Sequence, residues 1–445
     1  MSQLESMQYD SYQGNGFEWL DELPEQWGLR RLKEVSKIQN SNVDKKSYEN
    51  EIAVQLCNYV DVYKNEFINA SINFMWATAD ESEIKRFSVK ENDVLITKDS
   101  ETNDDIAVPA LVKHSMEGVL CGYHLAQIKT KSKTLHGAYL FRLFQSVNYG
   151  FRFVISAKGI TRVGLGQSAI TDALTPVPPI HEQIAIVNYL DSKTAQIDRQ
   201  IDLLSQKAER YEKLKKSLIN ESVTCGLDKA VAMKDSGIGW IGKVPEHWEI
   251  SAITNVTSTV SIKNHPNEEL LSVYRDYGVI IKSSRDDNHN KAGADLAGYK
   301  LVEPGYLVIN KMKAWQGSLG ISDHRGIVSP AYITCKTNGK LLQRSYLHHL
   351  LRCQRYIGEY NRLSFGVRND QWDMRYEDFK YVPVLLPPKD EQKAIADYLD
   401  EKTAKIDQIV ITINVQIEKL KELRKTLIND VVTGKIKVTN EGLAA

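Results

Sequence analysis

The chain has 445 residues, 42% hydrophobic and 26% charged, a length that accommodates two or three globular domains. Its 57 basic and 57 acidic residues cancel, which excludes a freestanding, strongly basic nucleic-acid binder but not a reader whose grip on phosphate is shared with partners. A polar start from Met1 to Asp10 and the lack of any long apolar run predict a cytoplasmic protein, and five scattered cysteines (Cys57, Cys121, Cys225, Cys335, Cys353), none in a Cys-x-x-Cys pair, suggest neither a zinc site nor a disulfide framework.

Taken in order, the chain first presents Trp19-Leu20-Asp21-Glu22-Leu23-Pro24-Glu25-Gln26-Trp27, which returns as Trp240 to Trp248 at an offset of 221. Short β-branched runs after turns then predict strands: Val94 to Lys98, echoed by Leu307 to Lys311, and Gly118 to Leu120, echoed by Gly326 to Val328. Tyr139 to Phe144 and Tyr346 to Leu351 read as helices. Gly159-Ile160-Thr161-Arg162 and Gly366-Val367-Arg368-Asn369 open the last stretch before two proline pairs.

After those pairs comes the longest repeat. Pro178-Pro179-Ile180-His181-Glu182-Gln183 recurs as Pro387-Pro388-Lys389-Asp390-Glu391-Gln392, and the match runs without a gap to Asn220 and Asn429 at a constant offset of 209. A continuous helix demands such a fixed register, because one inserted residue rotates everything beyond it by about 100°. Val187, Leu190, Thr194, Ile197, Ile201, Leu204, Ala208, Tyr211, Lys215 and Leu218 form a seam spaced by threes and fours, as do Leu399, Thr403, Ile406, Val410, Ile413, Ile417, Leu420, Arg424 and Leu427. That is coiled-coil spacing, interrupted at Lys215 and Arg424. Gly226 and Gly434 mark the helix exits.

The expected architecture is α+β: two mixed α/β domains in a pseudo-twofold repeat, with two long antiparallel helices between them pairing as an intramolecular coiled coil. Expected boundaries are an N-terminal segment over 1–23, a first domain over 24–178, a central helix over 179–227 and a linker over 228–244. A second domain then covers 245–387, a C-terminal helix 388–436 and a tail 437–445. Helices of this length predict a dumbbell with a shaft of about 60 Å at 1.5 Å per residue. The tryptophan motifs and the helices differ in offset, so twelve residues are lost between them in the second half, and that intervening segment is the variable part.

No catalytic constellation emerges. Gly237 to Lys243 has the glycine and lysine spacing of a phosphate loop, but Val244 replaces the hydroxyl residue and Pro245 follows where a helix must begin. The adjacent His348 and His349 point apart on a helix, which disfavours a metal site. Neither proline pair is preceded by Asn or Asp, so the adenine methyltransferase signature is missing. From His181 to Gly226 there are seven acidic and seven basic residues, so that helix is solvated rather than phosphate-seeking. Local basic clusters locate a binding surface better: Lys311 and Lys313 beside Trp315; Arg344, Arg352, Arg355 and Arg362; and Lys129, Lys131 and Lys133.

With its two Trp-x-x-x-(Leu or Val)-Pro-Glu-x-Trp motifs and two Pro-Pro-x-x-Glu-Gln helices, the chain resembles the specificity subunits of type I restriction-modification systems over nearly its whole length. The resemblance implies two target recognition domains reading a bipartite double-stranded DNA target across the helical spacer. It implies two modification subunits that supply S-adenosylmethionine and adenine-N6 methylation, and two restriction subunits that use ATP and Mg for translocation and cleavage. On this reading the chain is non-catalytic and holds no metal or cofactor of its own. Lys98 and Lys311 at equivalent strand ends, Lys313 beside the second, and Arg162 and Arg368 in equivalent loops are the candidate DNA contacts. The alternative is a protein-interaction scaffold with two globular modules on a coiled-coil spacer.

Overall fold

The computed structural model describes residues 8–17, 20–285, 295–366 and 372–438. Six helices carry the account below: α1 (Gly137–Gln145), α2 (Val147–Ser156), α3 (Ile180–Cys225), α4 (Arg344–Arg352), α5 (Gln354–Leu363) and α6 (Lys389–Val432). Contacts divide the chain into two units, one comprising residues up to Leu204 together with Val415 onward, the other Ser205–Asn414. Each long helix therefore begins in one unit and ends in the other.

In the first unit a five-stranded sheet runs in the order Ser36–Asn40, Leu125–Thr130, Val94–Thr97, Pro109–Val112, Phe67–Ile68, antiparallel except for the last pair. A three-stranded sheet (Val119–Cys121, Ile52–Cys57, Met75–Ala79) adds a smaller core. The second unit keeps the corresponding four strands as an antiparallel sheet: Thr257–Thr259, Ile333–Thr337, Tyr306–Ile309, Leu319–Ile321. Strand Val94–Thr97 is wholly buried, which is why its sequence is continuously apolar rather than alternating. In both units the first strand of the domain pairs with the last one before the proline pair, Gly28–Arg31 with Leu174–Val177 and Glu249–Ala252 with Pro383–Leu386. Each domain is thereby closed at the point where its long helix begins.

The helical repeat is realised as antiparallel pairing inside each unit. In the first, Ile186, Val187 and Leu190 of α3 share a core with Ile428, Val431 and Val432 of α6, and further along Asp198 meets Arg424 at 3.0 Å. In the second, Val223 of α3 shares a core with Ile395 and Leu399 of α6, and Lys215 meets Asp407 at 2.5 Å. The two ion pairs are repeat equivalents at the offset of 209. The interruptions in the seam are thus its polar pairings, each lysine or arginine reaching the carboxylate one helix across. Seam residues Leu190, Ile197, Leu399, Ile406 and Ile413 are buried, while Ile201, Leu204, Leu218, Leu420 and Leu427 are half-buried.

The motif residues make the joints. Gln183 is fully buried; its amide donates to the carbonyls of Pro178 and Thr134, and its oxygen accepts from the backbone N–H of His136. Gln392 repeats this with Pro387, Leu341 and Gln343. One side chain thus satisfies three backbone groups that the helix start and the neighbouring loop would otherwise bury without partners. Tyr139 in α1 donates to the carbonyls of Pro176 and Val432, and Tyr346 in α4 to those of Leu385 and Val223.

The second tryptophan of each motif sits where one long helix starts and the other exits. Trp248, wholly buried, donates its indole N–H to Glu391 at the start of α6, and that carboxylate also takes His247. Gly226, at the exit of α3 with φ 76°, packs on both, and a Cβ there would lie 3.1 Å from Glu391 Oε1. In the first unit Trp27 is buried against Pro24 and Gly434, Tyr9 stands edge-on to it, and Tyr9 and Gln26 both donate to Glu182. Trp19 lies outside the described residues.

Candidate nucleic-acid interface

The strand that ends at Thr97 continues through Lys98 into a short strand, Asp99–Ser100, which pairs with Val163–Gly164. Lys158 and Gly164 bond reciprocally through their backbones, so residues 159–163 form a hairpin tip, opened by Gly159 at φ 143°. Arg162 is exposed on that tip and Ile160 is fully exposed beside it. Lys98 and Arg162, which are far apart in sequence, are therefore brought to one edge. The backbone N–H of Leu165 donating to the carbonyl of Lys98 at 2.8 Å closes it.

The second unit builds the same edge. Met374 donates its N–H to the carbonyl of Lys311 at 3.0 Å, and Phe365 pairs with Asp373 where Lys158 pairs with Gly164. Seven residues, 366–372, separate Phe365 from Asp373 in sequence, against five between Lys158 and Gly164. Arg368 lies outside the described residues. Lys313 is exposed just beyond Lys311, and the rings of Trp315 and Trp372 meet at 5.4 Å. Phe365, 61% exposed, adds an aromatic face.

Neither lysine stands free. Lys98 is ion-paired to its neighbour Asp99 and lies over the Tyr123 ring, while Asp99 also takes His124 Nδ1 at 3.1 Å. Burial alone would raise the Asp99 carboxyl, but the hydrogen bonds from Lys98 and His124 outweigh it and hold the carboxyl below its ordinary value. Lys311 meets Asp373 at 3.1 Å. The carboxylates are not repeat equivalents. Asp373 occupies the place of Gly164, and Met312 the place of Asp99. A Cβ at Gly164 would fall 2.7 Å from Asp99 Oδ1, so a side chain on that strand and a carboxylate on the other compete for one space. The sequence points to the lysines but not to Asp373, which is 62 residues from Lys311.

Several basic clusters prominent in the sequence are committed elsewhere. Arg352 donates to the carbonyls of Arg275 and Leu319, Arg355 to Ile241, and Arg362 is paired with Glu359. Lys129 donates to Arg86 and Ser88, and Lys131 to Glu34. Of the histidine pair, His349 binds Asp400 at 2.7 Å. His348 packs beside Gly278 and Gly320, where desolvation pushes its pKa down to about 3. Lys243 lies on a hairpin strand paired with Met233–Asp235, not at a helix start, so the glycine-lysine run is no phosphate loop. Among the described residues no helix is long and apolar enough to cross a membrane.

Comparisons with known proteins identify the family. Residues 24–212 and 245–419 match the model of the type I restriction modification DNA specificity domain. The chain is 23% identical over 439 residues to the type I restriction enzyme MjaVIII specificity subunit of Methanocaldococcus jannaschii, covering 94% of this chain and 95% of the relative. In fold it is similar to the HsdS subunit from Thermoanaerobacter tengcongensis, with a TM-score of 0.56 at 16% identity, covering 95% of this chain and all of that one. A chain from a type I R-M system studied for complex assembly gives a TM-score of 0.67, also at 16% identity, over 92% of this chain and 98% of its own. With two matches to the family model that together cover most of its length, the chain belongs to the type I restriction-modification DNA specificity family.

Proposed function

We propose that the chain is the non-catalytic reader of a type I restriction-modification complex. Its domains over 24–178 and 245–387 each bind one half of a bipartite duplex target. The observation that carries this is the doubled edge: two domains of one chain place a lysine at the same strand end beside the same hairpin. One protein reading two half-sites requires two such surfaces. Arg162, Lys313 and Arg368 are assigned to phosphate or base contacts on these edges, with Lys98 and Lys311 at their bases.

The chemistry belongs to partners. Two modification subunits would supply S-adenosylmethionine and methylate adenine N6 on a base drawn out of the stack, and two restriction subunits would use ATP and Mg. This chain's part is to position the duplex, in a cytoplasmic complex. The exposed faces of α3 and α6 are the surface offered to the modification subunits, whose own phosphate contacts would offset the neutral charge of this chain.

The test is sequence-resolved DNA retention by the chain copurified with its modification subunits. Lys313→Ala and Arg368→Ala should each weaken binding and reduce its salt dependence; unchanged affinity and slope would remove them from the interface. Helices of 46 and 44 residues would also set the distance between half-sites. Deleting four residues from one helix should alter or abolish the recognised gap while both half-site sequences persist. An unchanged gap rejects the ruler.

A further inference from the structure

We propose that the Lys98–Asp99 and Lys311–Asp373 pairs are base-reading units, each a donor and an acceptor held side by side toward the edge of a base pair rather than toward a phosphate. The inference rests on the reading that the hairpin edges meet DNA, and goes further in dividing the contacts by role.

Three observations carry it. The first is that a carboxylate accompanies the lysine in both domains although its source has changed, from the residue after the lysine in one to Asp373, beside the Met374 whose N–H bonds the lysine's carbonyl, in the other. Gly164 and Met312 vacate the opposite positions. An acceptor that survives such a rearrangement is needed as an acceptor. Secondly, a carboxylate beside a phosphate-binding lysine repels the phosphate and cancels the ammonium that should attract it, so the arrangement is wrong for backbone contact. Arg162 and Lys313, exposed and with no carboxylate paired to them among the described residues, suit that task. Thirdly, the pairs are neither sealed nor loose: side-chain exposure is 13% and 21% for Lys98 and Asp99, and 37% and 39% for Lys311 and Asp373. His124 holds the Asp99 carboxylate, and in the second pair Asp373 Oδ2 takes Lys311 while Oδ1 is buried with no hydrogen-bond partner among the described residues, an acceptor left unsatisfied.

The chemistry matches a base-pair edge. In the major groove an ammonium donates to purine N7 or guanine O6, and a carboxylate accepts from cytosine N4 or adenine N6. A donor next to an acceptor is the complement of guanine O6 beside cytosine N4, or of N7 beside N6 within one adenine. In the first domain the carboxylate follows the lysine along the chain; in the second it comes from the neighbouring segment, next to the Met374 that bonds the lysine's carbonyl. The donor-to-acceptor direction relative to the hairpin therefore differs, and the two half-sites are read in different orientations.

The decisive measurement uses the full-length chain copurified with its modification subunits and a duplex library with a randomised stretch, sequencing what is retained. Asp373→Asn should relax the preference at one base pair of one half-site roughly ten- to hundredfold, leaving the other half-site and the salt slope of affinity intact. Asp99→Asn should do the same in the other half-site. Retained preference with tighter binding to all sequences and a steeper salt slope would place the carboxylates against phosphate and overturn the proposal. Retained preference with only a lower melting temperature would make the pairs structural and overturn it equally. A second variant guards against misfolding: Met312→Asp combined with Asp373→Gly copies the first domain's arrangement into the second. It should keep affinity but change the base chosen at that position, and an unchanged base counts against the inference. If the unaltered chain enriches no sequence at all, the DNA-reading function itself fails.

Discussion

The joints and the reading edges of this protein have diverged at different rates, and the contrast shows what each must preserve. At the joints the glutamine and tyrosine bridges recur: Gln183 and Gln392 bridge the same three backbone groups, and Tyr139 and Tyr346 the same two carbonyls. At the edges only the lysine and its backbone bond persist; the carboxylate, the loop length and the aromatic neighbours all differ. A joint must satisfy fixed backbone groups in a dry interior, which leaves few solutions. On the proposed reading each edge faces a different half-site, which demands different solutions.

That contrast can be broken by substitution, the largest effects falling at the joints. Trp248→Ala removes a wholly buried indole and should cost about 3–5 kcal/mol, read as a lower urea midpoint. Gln392→Leu keeps the volume but strands one donor and two acceptors. It should cost roughly 1–3 kcal/mol for each group that water cannot reach, and Gln183→Leu should match it if the joints are equivalent.

A smaller difference separates the two seam pairs. Arg424 is 17% exposed and also reaches Glu66 at 2.7 Å, whereas Lys215 is 25% exposed with Asp407 alone. Arg424→Ala should therefore be the more destabilising, Lys215→Ala falling near the ~1 kcal/mol ceiling of solvated pairs. Equal losses would mean that the Glu66 contact contributes nothing.

The smallest effect is a pH signature at another diverged equivalence. Arg142 donates to Asp191 where His349 meets Asp400. The hydrogen bond from His349 holds the Asp400 carboxyl below its ordinary value, outweighing burial. A depressed carboxyl contributes stability above its unfolded pKa and loses it as pH falls through the folded one. The stability gap between the unaltered chain and Asp400→Asn should thus be open above about pH 5 and close at lower pH. A gap that stays open in acid would show that the carboxylate charge is not what stabilises.

The long helices, their register and the repeated domains are legible in the sequence because a continuous helix tolerates no insertion and a buried strand no charge. Lys215 and Arg424 are visible as flaws in the seam, yet their purpose is not, since the carboxylates they reach lie on the other helix. The tryptophan motif is equally visible and equally mute: Trp248 and Glu391 are 143 residues apart in sequence, and no local pattern joins them. At the edges the sequence yields Lys98 and Lys311 by their place after a strand. It hides Asp373, whose meaning depends on which residue it faces. The arginines of α4 and α5 mislead for the converse reason, because composition counts their charges without showing that backbone carbonyls and Glu359 already hold them.

The seam's ion pairs also protect against an error that duplication invites. Two helices that repeat one register could also lie side by side in the same direction, whether within a chain or between two newly made copies. In that alignment Asp198 would stand beside Asp407, and Lys215 beside Arg424, like charge against like. Turned head to tail, the same four residues attract. The seam thus carries a polarity check, and a pair of chains that met before folding would be discouraged from settling into the wrong partnership.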